Sequence, residues 1–262
     1  NSFDLFKNRL MFPIIDRFNR VIAFGGRILE GEGPKYINSW ENSFFKKREI
    51  LYNLNNLQGL NESNNSIYLV EGYTDVIALS KLGRYAVAPL GTSISIEQIS
   101  ILWKYVDEPT IFLDGDKAGK MATKRILDLT LPFLNIGKSL NFILLSDKND
   151  PEDILNGENG KQLLEEILKN KVSFLETMMF FETKNELNSP ERLLGYKKRL
   201  SNKLRLIENE EVRKLYTTFL KKKLEEVFNH TINKEQDKYK RGYDTYFVKL
   251  AKEKSQIRFV LR

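Results

Sequence analysis

The chain has 262 residues, of which 41% are hydrophobic and 29% charged, so it can build one large domain or two modest ones. Its formal net charge of +7 favours polyanionic partners, although a solvated basic surface explains that charge equally well. The absence of cysteine excludes disulfides, thiolate zinc sites and cysteine nucleophiles, and His230 is the single histidine. Any metal chemistry must therefore rest on carboxylates, which suit hard ions such as Mg²⁺ or Mn²⁺.

Residues 1–64 form the first predicted region. The apolar runs Met11–Ile15 and Val21–Phe24 flank a polar segment, which predicts a β-hairpin. The run Leu54–Asn65 is rich in Asn, Gly and Ser, as is typical of a linker. We therefore expect an N-terminal α/β subdomain that ends before residue 65.

The second region, residues 65–147, alternates apolar strands with helical patterns. The predicted strands are Ile67–Val70, Tyr85–Ala88, Thr110–Leu113 and Asn141–Leu145. Of the helical segments between them, the second begins with a capping box formed by Ser95 and Gln98. This alternation predicts an α/β fold with a parallel sheet flanked by helices, in which ligands collect at the carboxyl ends of the strands.

The third region, residues 148–228, has only helical periodicity. Helices are predicted near residues 160–181, 190–207 and 210–228, and their apolar stripes are expected to be core, including Leu163, Leu215 and Phe219. The fourth region, residues 229–262, is polar and basic and is expected to be a helical tether or a partly ordered tail. His230 at its start is expected to lie on the surface.

Acidic residues follow the predicted strands. Glu71 comes directly after Ile67–Val70, and Asp75 would share its face if a helix began at Glu71. Asp114 and Asp116 follow the third strand, and residues two apart in an extended chain point to the same side. Two carboxylates so close repel each other unless a cation compensates their charge.

A third acidic cluster follows the last strand and contains Asp150, Glu152 and Asp153. Asp150 or Asp153 could equally be a cap of the following helix. Because the carboxyl ends of parallel strands meet at one sheet edge, the three clusters together predict a divalent-metal site. Combined with the basic charge, this site favours phosphoryl-transfer chemistry on nucleic acid.

Several segments resemble a known family. Val70–Ala78, Leu90–Ser93, Phe112–Gly119 and Asp150–Glu152 resemble the TOPRIM domain of DnaG-type bacterial primases. TOPRIM domains also occur in topoisomerases, recombination mediators and nucleases. The upstream segments Arg9–Ile14, Arg20–Arg27 and Pro34–Ser39 resemble the primase polymerase domain and not those relatives.

The resemblance implies a DNA-templated RNA polymerase that makes short RNA primers from ribonucleoside triphosphates on single-stranded DNA. The acidic residues that it implies are Glu71, Asp114 and Asp116 at the centre, with Asp75, Asp150 and Glu152 beside them. The residues implied to bind template or triphosphate are Arg27, Lys35, Asn38 and Lys47. The implied cofactor is Mg²⁺, for which Mn²⁺ can substitute, and no zinc is expected in this stretch.

We expect one ion at Asp114 and Asp116, with Glu71 as a further ligand or as general acid or base, and a second ion at Asp150 and Glu152. The chain departs from the family pattern at Glu152, where an Asp is usual, and at Trp40, where a Pro is usual. It also has Lys46–Glu49 where His-Lys-Gly-Arg is usual, so Lys47 is a better match than Arg48.

The resemblance also implies an architecture and partners. A mixed N-terminal subdomain, a central TOPRIM sheet and a C-terminal helical bundle are expected, with Tyr73 packing beside the sheet. We expect the chain to be a fragment, because it lacks an initiator Met, the zinc module, the start of the polymerase domain and the domain that would bind a replicative helicase. No membrane contact is expected, and the expected location is the cytoplasm, at the replication fork in the nucleoid.

Two alternatives to primer synthesis remain open. The chain could be a catalytically inactive scaffold that binds nucleic acid. It could also be another TOPRIM enzyme, such as a topoisomerase or a nuclease.

Overall fold

The computed structural model of the protein describes residues 4–58, 66–91, 93–145, 150–183 and 189–228. The chain divides into two units, residues 1–178 and residues 179–262. Both β-sheets belong to the first unit, and the second unit is helical over most of its described residues. The division into four regions that the sequence predicts stays a prediction.

A small antiparallel sheet opens the first unit. Its strands, in spatial order, are β1 (Arg9–Ile15), β2 (Val21–Ile28) and β3 (Tyr36–Asn38). The predicted hairpin is confirmed, because β1 and β2 pair in antiparallel orientation. Asp16 closes the turn between them by accepting hydrogen bonds from the backbone N–H groups of Phe18 (2.8 Å) and Arg20 (3.0 Å).

The second sheet has six strands in the order β4-β6-β5-β7-β8-β9. Its strands are β4 (Leu51–Tyr52), β5 (Ile67–Leu69), β6 (Tyr85–Pro89), β7 (Thr110–Phe112), β8 (Asn141–Ile143) and β9 (Val172–Ser173). The four predicted strands are β5 to β8, and all of their mutual pairings are parallel. The parallel sheet is therefore confirmed, and two short antiparallel edge strands, β4 and β9, extend it.

Helices follow the strands as the sequence predicts. They are α1 (Tyr73–Lys81), α2 (Ile96–Leu102), α3 (Lys117–Thr130), α4 (Pro151–Asn156), α5 (Gly160–Lys169), α6 (Phe174–Glu182) and α7 (Pro190–Leu204). The capping box that opens α2 is confirmed, since Gln98 N–H donates to Ser95 Oγ and Ser95 N–H donates to Gln98 Oε1. One side of the sheet packs on α1, α4 and α5 through the buried residues Val70, Val76, Phe112, Ile154 and Leu164.

The prediction of one helix near residues 160–181 is wrong, because α5 ends at Lys169 and α6 begins at Phe174. Between them, β9 pairs with β8, and Val172 lies opposite Phe142. Phe174 then packs edge-on against Phe142 with ring centroids 5.9 Å apart. Strand pairing and this aromatic contact override the helical propensity of the segment.

The predicted linker Leu54–Asn65 begins with a 3₁₀ helix, Leu54–Leu57, and is not open chain there. Leu57 is fully buried, so this end of the segment is anchored to the core. Residues 59–65 lie outside the described residues.

In the second unit, helices are confirmed at α7 and at residues 210–228. The buried positions include Leu200, Leu204 and Leu224. Leu215 and Phe219, expected in the core, are 60% and 59% exposed, so that part of the prediction is wrong. Leu163 of the first unit is also largely exposed. The predicted tail, residues 229–262 with His230, lies outside the described residues.

In the described ranges, none of the helices combines the length and apolar character needed to cross a lipid bilayer.

Candidate active site

A cavity of about 370 Å³ lies at the carboxyl ends of the parallel strands. Carboxylates from three separate segments line it, namely Glu71, Asp75, Asp114, Asp150 and Glu152. Glu71 follows β5, Asp114 follows β7, and Asp150 and Glu152 lie at the start of α4. The structure thus brings together the acidic clusters that the sequence predicted at one sheet edge, with the exceptions of Asp116 and Asp153.

Glu71 and Asp114 are joined by a direct hydrogen bond. The backbone N–H of Asp114 donates to Glu71 Oε1 at 3.1 Å, which holds the two strand ends at one spacing. The first turn of α3 packs on this pair through Gly119. A Cβ atom at Gly119 would lie 2.2 Å from the carbonyl oxygen of Asp114 and 2.8 Å from Glu71 Oε1, so only glycine fits. The importance of Gly119 was missed in the sequence, although a glycine in the first turn of a helix that follows an acidic strand end was a usable signal.

Asp75 reaches the cavity by another route than the one expected. Helix α1 begins at Tyr73, so Glu71 precedes the helix and the two carboxylates do not share a helical face. Instead, Asp75 Oδ2 accepts a hydrogen bond from the backbone N–H of Gly72 at 3.0 Å. This contact caps α1 and turns Asp75 inward, where it is only 6% exposed.

Asp116 is exposed, does not line the cavity, and is the N-cap of α3. Its Oδ1 accepts a hydrogen bond from the backbone N–H of Gly119 at 2.7 Å. It still acts on the cavity at a distance, because its charge contributes to raising the pKa values of Glu71 and Asp114. The sequence placed Asp114 and Asp116 on one face, but in the structure Asp114 lines the cavity and Asp116 does not.

The start of α4 combines capping with a place in the cavity wall. Asp150 Oδ1 accepts a hydrogen bond from the backbone N–H of Asp153 at 2.6 Å, so the capping alternative holds for Asp150. Asp150 nevertheless lines the cavity. Glu152 also lines it, and its Oε2 lies 3.5 Å from Nη1 of Arg27. Asp153 is exposed and is not part of the wall.

The charges in the cavity are poorly compensated. Burial, followed by the charges of Glu71, Asp75, Asp150 and Asp116, raises the pKa of Asp114 to about 7. Burial and the charge of Asp150 raise the pKa of Asp75 to about 7 as well. Burial also raises the pKa of Glu71. At neutral pH Asp75 and Asp114 are therefore close to half-protonation, and a cation would favour the charged forms of all three carboxyl groups.

The donor set fits a hard divalent cation. All the acidic ligands are carboxylate oxygens, and Oδ1 of Asp114 is buried without a hydrogen-bond partner among the described residues. Within the same ranges, no three acidic or histidine side chains already stand at metal-binding spacing. Binding of an ion by three of these carboxylates would therefore require some of their side chains to move.

The basic residues divide into two groups. Lys35 and Asn38 line the cavity, and Arg27 lies at its edge through its ion pair with Glu152. Lys47 does not line it. The backbone N–H of Lys47 donates to Glu41 Oε1 at 2.6 Å, and its carbonyl accepts from Gln98 Nε2 at 2.9 Å, so this loop is docked on α2.

Tyr73 packs as expected and connects the two sheets. Its ring stacks on Phe12 with centroids 4.6 Å apart, and its hydroxyl donates to Asn38 Oδ1 at 2.5 Å. Gly25 makes room for it, since a Cβ there would lie 2.3 Å from the Tyr73 hydroxyl oxygen. Asn38 Nδ2 donates to the Leu90 carbonyl at 2.6 Å, so the Asn38 side chain links Tyr73 to the backbone of Leu90 in the cavity wall.

A second cavity, of about 450 Å³, also has Glu71 in its wall. Its other lining residues are mostly apolar and come largely from α3 and the segment after β6. Arg125 of α3 is the cation in this wall, and the sequence offered no signal for it beyond helical position.

Comparisons with known proteins agree with this architecture. A family model described as "DNA primase catalytic core, N-terminal domain" matches residues 1–58, and a "Toprim domain" model matches residues 65–139. The DNA primase of Pasteurella multocida (strain Pm70) is 41% identical over 175 residues, which are 66% of this chain and 30% of that protein. The chain therefore spans less than a third of the length of that curated relative.

Solved structures are similar over more of the chain. The Escherichia coli primase catalytic core has a TM-score of 0.73 and 35% identity, with 86% of this chain and 72% of that one covered. A DnaG primase catalytic domain bound to single-stranded DNA has a TM-score of 0.74 and 34% identity, with 84% and 70% covered.

Proposed function

The chain belongs to the DnaG family of bacterial DNA primases, and from this membership we propose that it is a polymerising core that joins ribonucleotides into short RNA primers on single-stranded DNA. The observation that carries the proposal is the shared cavity in which buried Asp75 and half-buried Asp114 meet Glu71, Asp150 and Glu152. An unpaired, buried Asp114 oxygen in a wall of carboxylates supports a cation-dependent reaction.

We propose Mg²⁺ as the cofactor, with Mn²⁺ as a substitute. The residues proposed to hold it are Asp114 and Glu71, with Asp116 from the N-cap of α3, and Asp150 and Glu152 for a second ion. When bound, such ions would supply Lewis-acid activation for the primer 3′-hydroxyl and charge stabilisation for the leaving pyrophosphate. For this role Glu152 would exchange its contact with Arg27, whose Nη1 lies 3.5 Å from Glu152 Oε2, for a contact with the ion.

The chain's own residues position and neutralise the reacting groups. Glu71 is held against the Asp114 N–H. Its raised pKa suits proton transfer to and from the 3′-hydroxyl, and its ionised form could instead ligate the ion. Lys35, which lines the same cavity, and Arg27 are proposed to neutralise the triphosphate, with the planar guanidinium able to contact two phosphate oxygens. Asn38 keeps the wall in place, and Lys47 is proposed to contact template outside the cavity.

The proposed partners follow from this role. They are single-stranded DNA, ribonucleoside triphosphates and the RNA primer, and a replicative helicase that would be bound by a domain outside these 262 residues. One solved relative is bound to single-stranded DNA, which supports the first of them. The proposed location is the cytoplasm, at the replication fork in the nucleoid.

A non-catalytic scaffold is the second candidate function. It is favoured by the finding that, in the described part of the chain, no three acidic groups already have metal-binding spacing. Against it, burial and like charge raise the pKa values of Asp75 and Asp114 to about 7, an arrangement that costs stability and is typical of functional sites.

The test is primer synthesis by the chain on single-stranded DNA with ribonucleotides and Mg²⁺ or Mn²⁺. Asp114→Asn, which removes the charge and keeps the shape, is expected to lower synthesis by at least about 100-fold while single-stranded DNA binding persists. The matched control is Asp153→Asn, an exposed carboxylate of α4 outside the cavity, which is expected to stay within about twofold of the unmodified chain.

Three results would separate the candidates. Full synthesis by Asp114→Asn refutes the assignment of that carboxylate. Intact DNA binding with no synthesis by the unmodified chain supports the scaffold. Deoxynucleotide incorporation, strand cleavage or relaxation of supercoiled DNA points to another TOPRIM enzyme.

A further inference from the structure

A basic cavity of about 520 Å³ lies in the second unit, between α7 and the helix at residues 210–228. Its lining residues are Ser201, Leu204, Arg205, Arg213, Lys214, Thr217, Thr218 and Lys221. Four of them carry a positive charge, three carry a hydroxyl group, and none is acidic. The volume is within the range of pockets that hold nucleotide-sized ligands.

Several polar groups in this wall are available to a ligand. Among the described residues, the side chains of Arg205, Lys221 and Ser201 have no hydrogen-bond or ion-pair partner. Arg213 uses Nη1 to donate to the Ile207 carbonyl at 2.9 Å, which fixes its guanidinium and leaves further N–H groups. Thr217 and Thr218 donate to carbonyls of their own helix, so their hydroxyl protons are not available.

Opposing charge near the cavity is weak. Lys214 forms an ion pair with Glu210 at 2.9 Å, but both side chains are well exposed, so a stronger anion can replace the pair. Residues 189–228 contain eleven Lys and Arg against six Glu, so the surroundings are basic as well. A plain solvated helix surface would explain the net charge, but not the grouping of four cations around one concave wall without a carboxylate.

We propose that this cavity is a phosphate-binding site. Fixed Arg213, with Arg205, Lys214 and Lys221 around it, presents the forked and point-charge donors that phosphate oxygens accept. Two sources supply such phosphates near a nucleic-acid enzyme, namely the backbone of a bound strand and a free nucleotide. The site lies in a different unit from the acidic cavity and does not depend on the proposed synthesis of primers.

The test compares two double variants that remove the same charge. Arg205→Gln with Lys221→Gln removes two of the four cations from the cavity wall. Lys198→Gln with Lys222→Gln removes two exposed cations outside the cavity, one from each of the same two helices. Glutamine retains a similar helix propensity, so both variants should fold, which circular dichroism checks. Binding of a fluorescein-labelled 20-mer of dT would be measured by anisotropy across a salt series, with no metal or nucleotide present.

If the cavity binds backbone phosphates, the first variant weakens binding about tenfold and lowers the salt slope by about 1.4, the value for two phosphate contacts on a single strand. The control pair changes affinity by less than about twofold. Equal losses for both pairs would overturn the proposal, because net charge alone would then explain them.

Calorimetry with metal-free ATP distinguishes the two phosphate sources. Binding of ATP to the unmodified chain that is lost in Arg205→Gln/Lys221→Gln, with unchanged binding of the 20-mer, identifies a free nucleotide as the source. No change with either ligand overturns the proposal and leaves the outcome of the Asp114→Asn experiment untouched.

Discussion

At the scale of single residues, Asp114 combines burial, like charge and an unpaired oxygen. Its folded pKa of about 7 is raised above the unfolded value of 3.8, so the folded chain binds more protons than the unfolded chain between these pH values. The contribution of this group to stability is therefore greatest below about pH 4 and is lost as the pH rises through 7.

We expect Asp114→Asn to stabilise the metal-free chain at pH 8 by about 1–2 kcal/mol, after allowance for solvent screening, and by much less at pH 5. Thermal unfolding in a chelating buffer at the two pH values measures the difference. Added Mg²⁺ is expected to raise the melting temperature of the unmodified chain more than that of the variant. A variant less stable at pH 8 than the unmodified chain would contradict this account of Asp114.

The sequence predicted where the acidic clusters lie because the carboxyl ends of parallel strands meet at one edge of a sheet. Glu71, Asp114 and Asp150 were placed at one sheet edge and do line one cavity. The inward turn of Asp75 depends on where α1 begins, and the outward place of Asp116 depends on its cap contact with Gly119. Helix starts shift by a residue or two without changing the apolar pattern, so the sequence alone could not settle either position.

At the scale of elements, the first turn of α3 packs directly on the end of β7 at Gly119. Gly119→Ala would place a methyl group 2.2 Å from the Asp114 carbonyl, which is backbone and cannot turn aside. We expect a loss of about 1–3 kcal/mol in the free energy of unfolding, because overpacking must move the helix or the strand end. Chemical denaturation measures it, with Gly91→Ala as the control, since a Cβ there meets no atom within 4 Å.

A fall in stability of the same size for both glycine variants would mean that backbone conformation, not the contact with Asp114, explains the effect. A stable Gly119→Ala chain would show that α3 can shift without cost.

The strands that carry an apolar run were predictable, and the two-residue strands were not. Strands β5 to β8 each have an apolar run bounded by turns, and the alternation with helices identified the parallel sheet. Strands β4 and β9 have two residues each, too few for any periodic pattern. Their existence depends on the neighbours β6 and β8, which is tertiary information that a local pattern does not contain.

At the scale of the whole molecule, the formal charge of +7 coexists with an acidic cavity. We expect single-stranded DNA to bind through its phosphates at basic surfaces. For about four such contacts, affinity should fall roughly fiftyfold between 50 and 200 mM NaCl. Anisotropy titrations measure the slope, and an affinity independent of salt would argue against an electrostatic interface.

Tyr73 has a mechanical consequence. Its ring is held between Phe12 of β1 and Tyr52 of β4, at 4.6 Å from each, two positions before Asp75 in the same helix. This aromatic packing thus holds the small sheet against the large sheet beside the carboxylates. A hinge motion between the two sheets would have to break this aromatic packing, so Tyr36 and Asn38 of β3 keep a fixed position beside the carboxylates in the cavity wall.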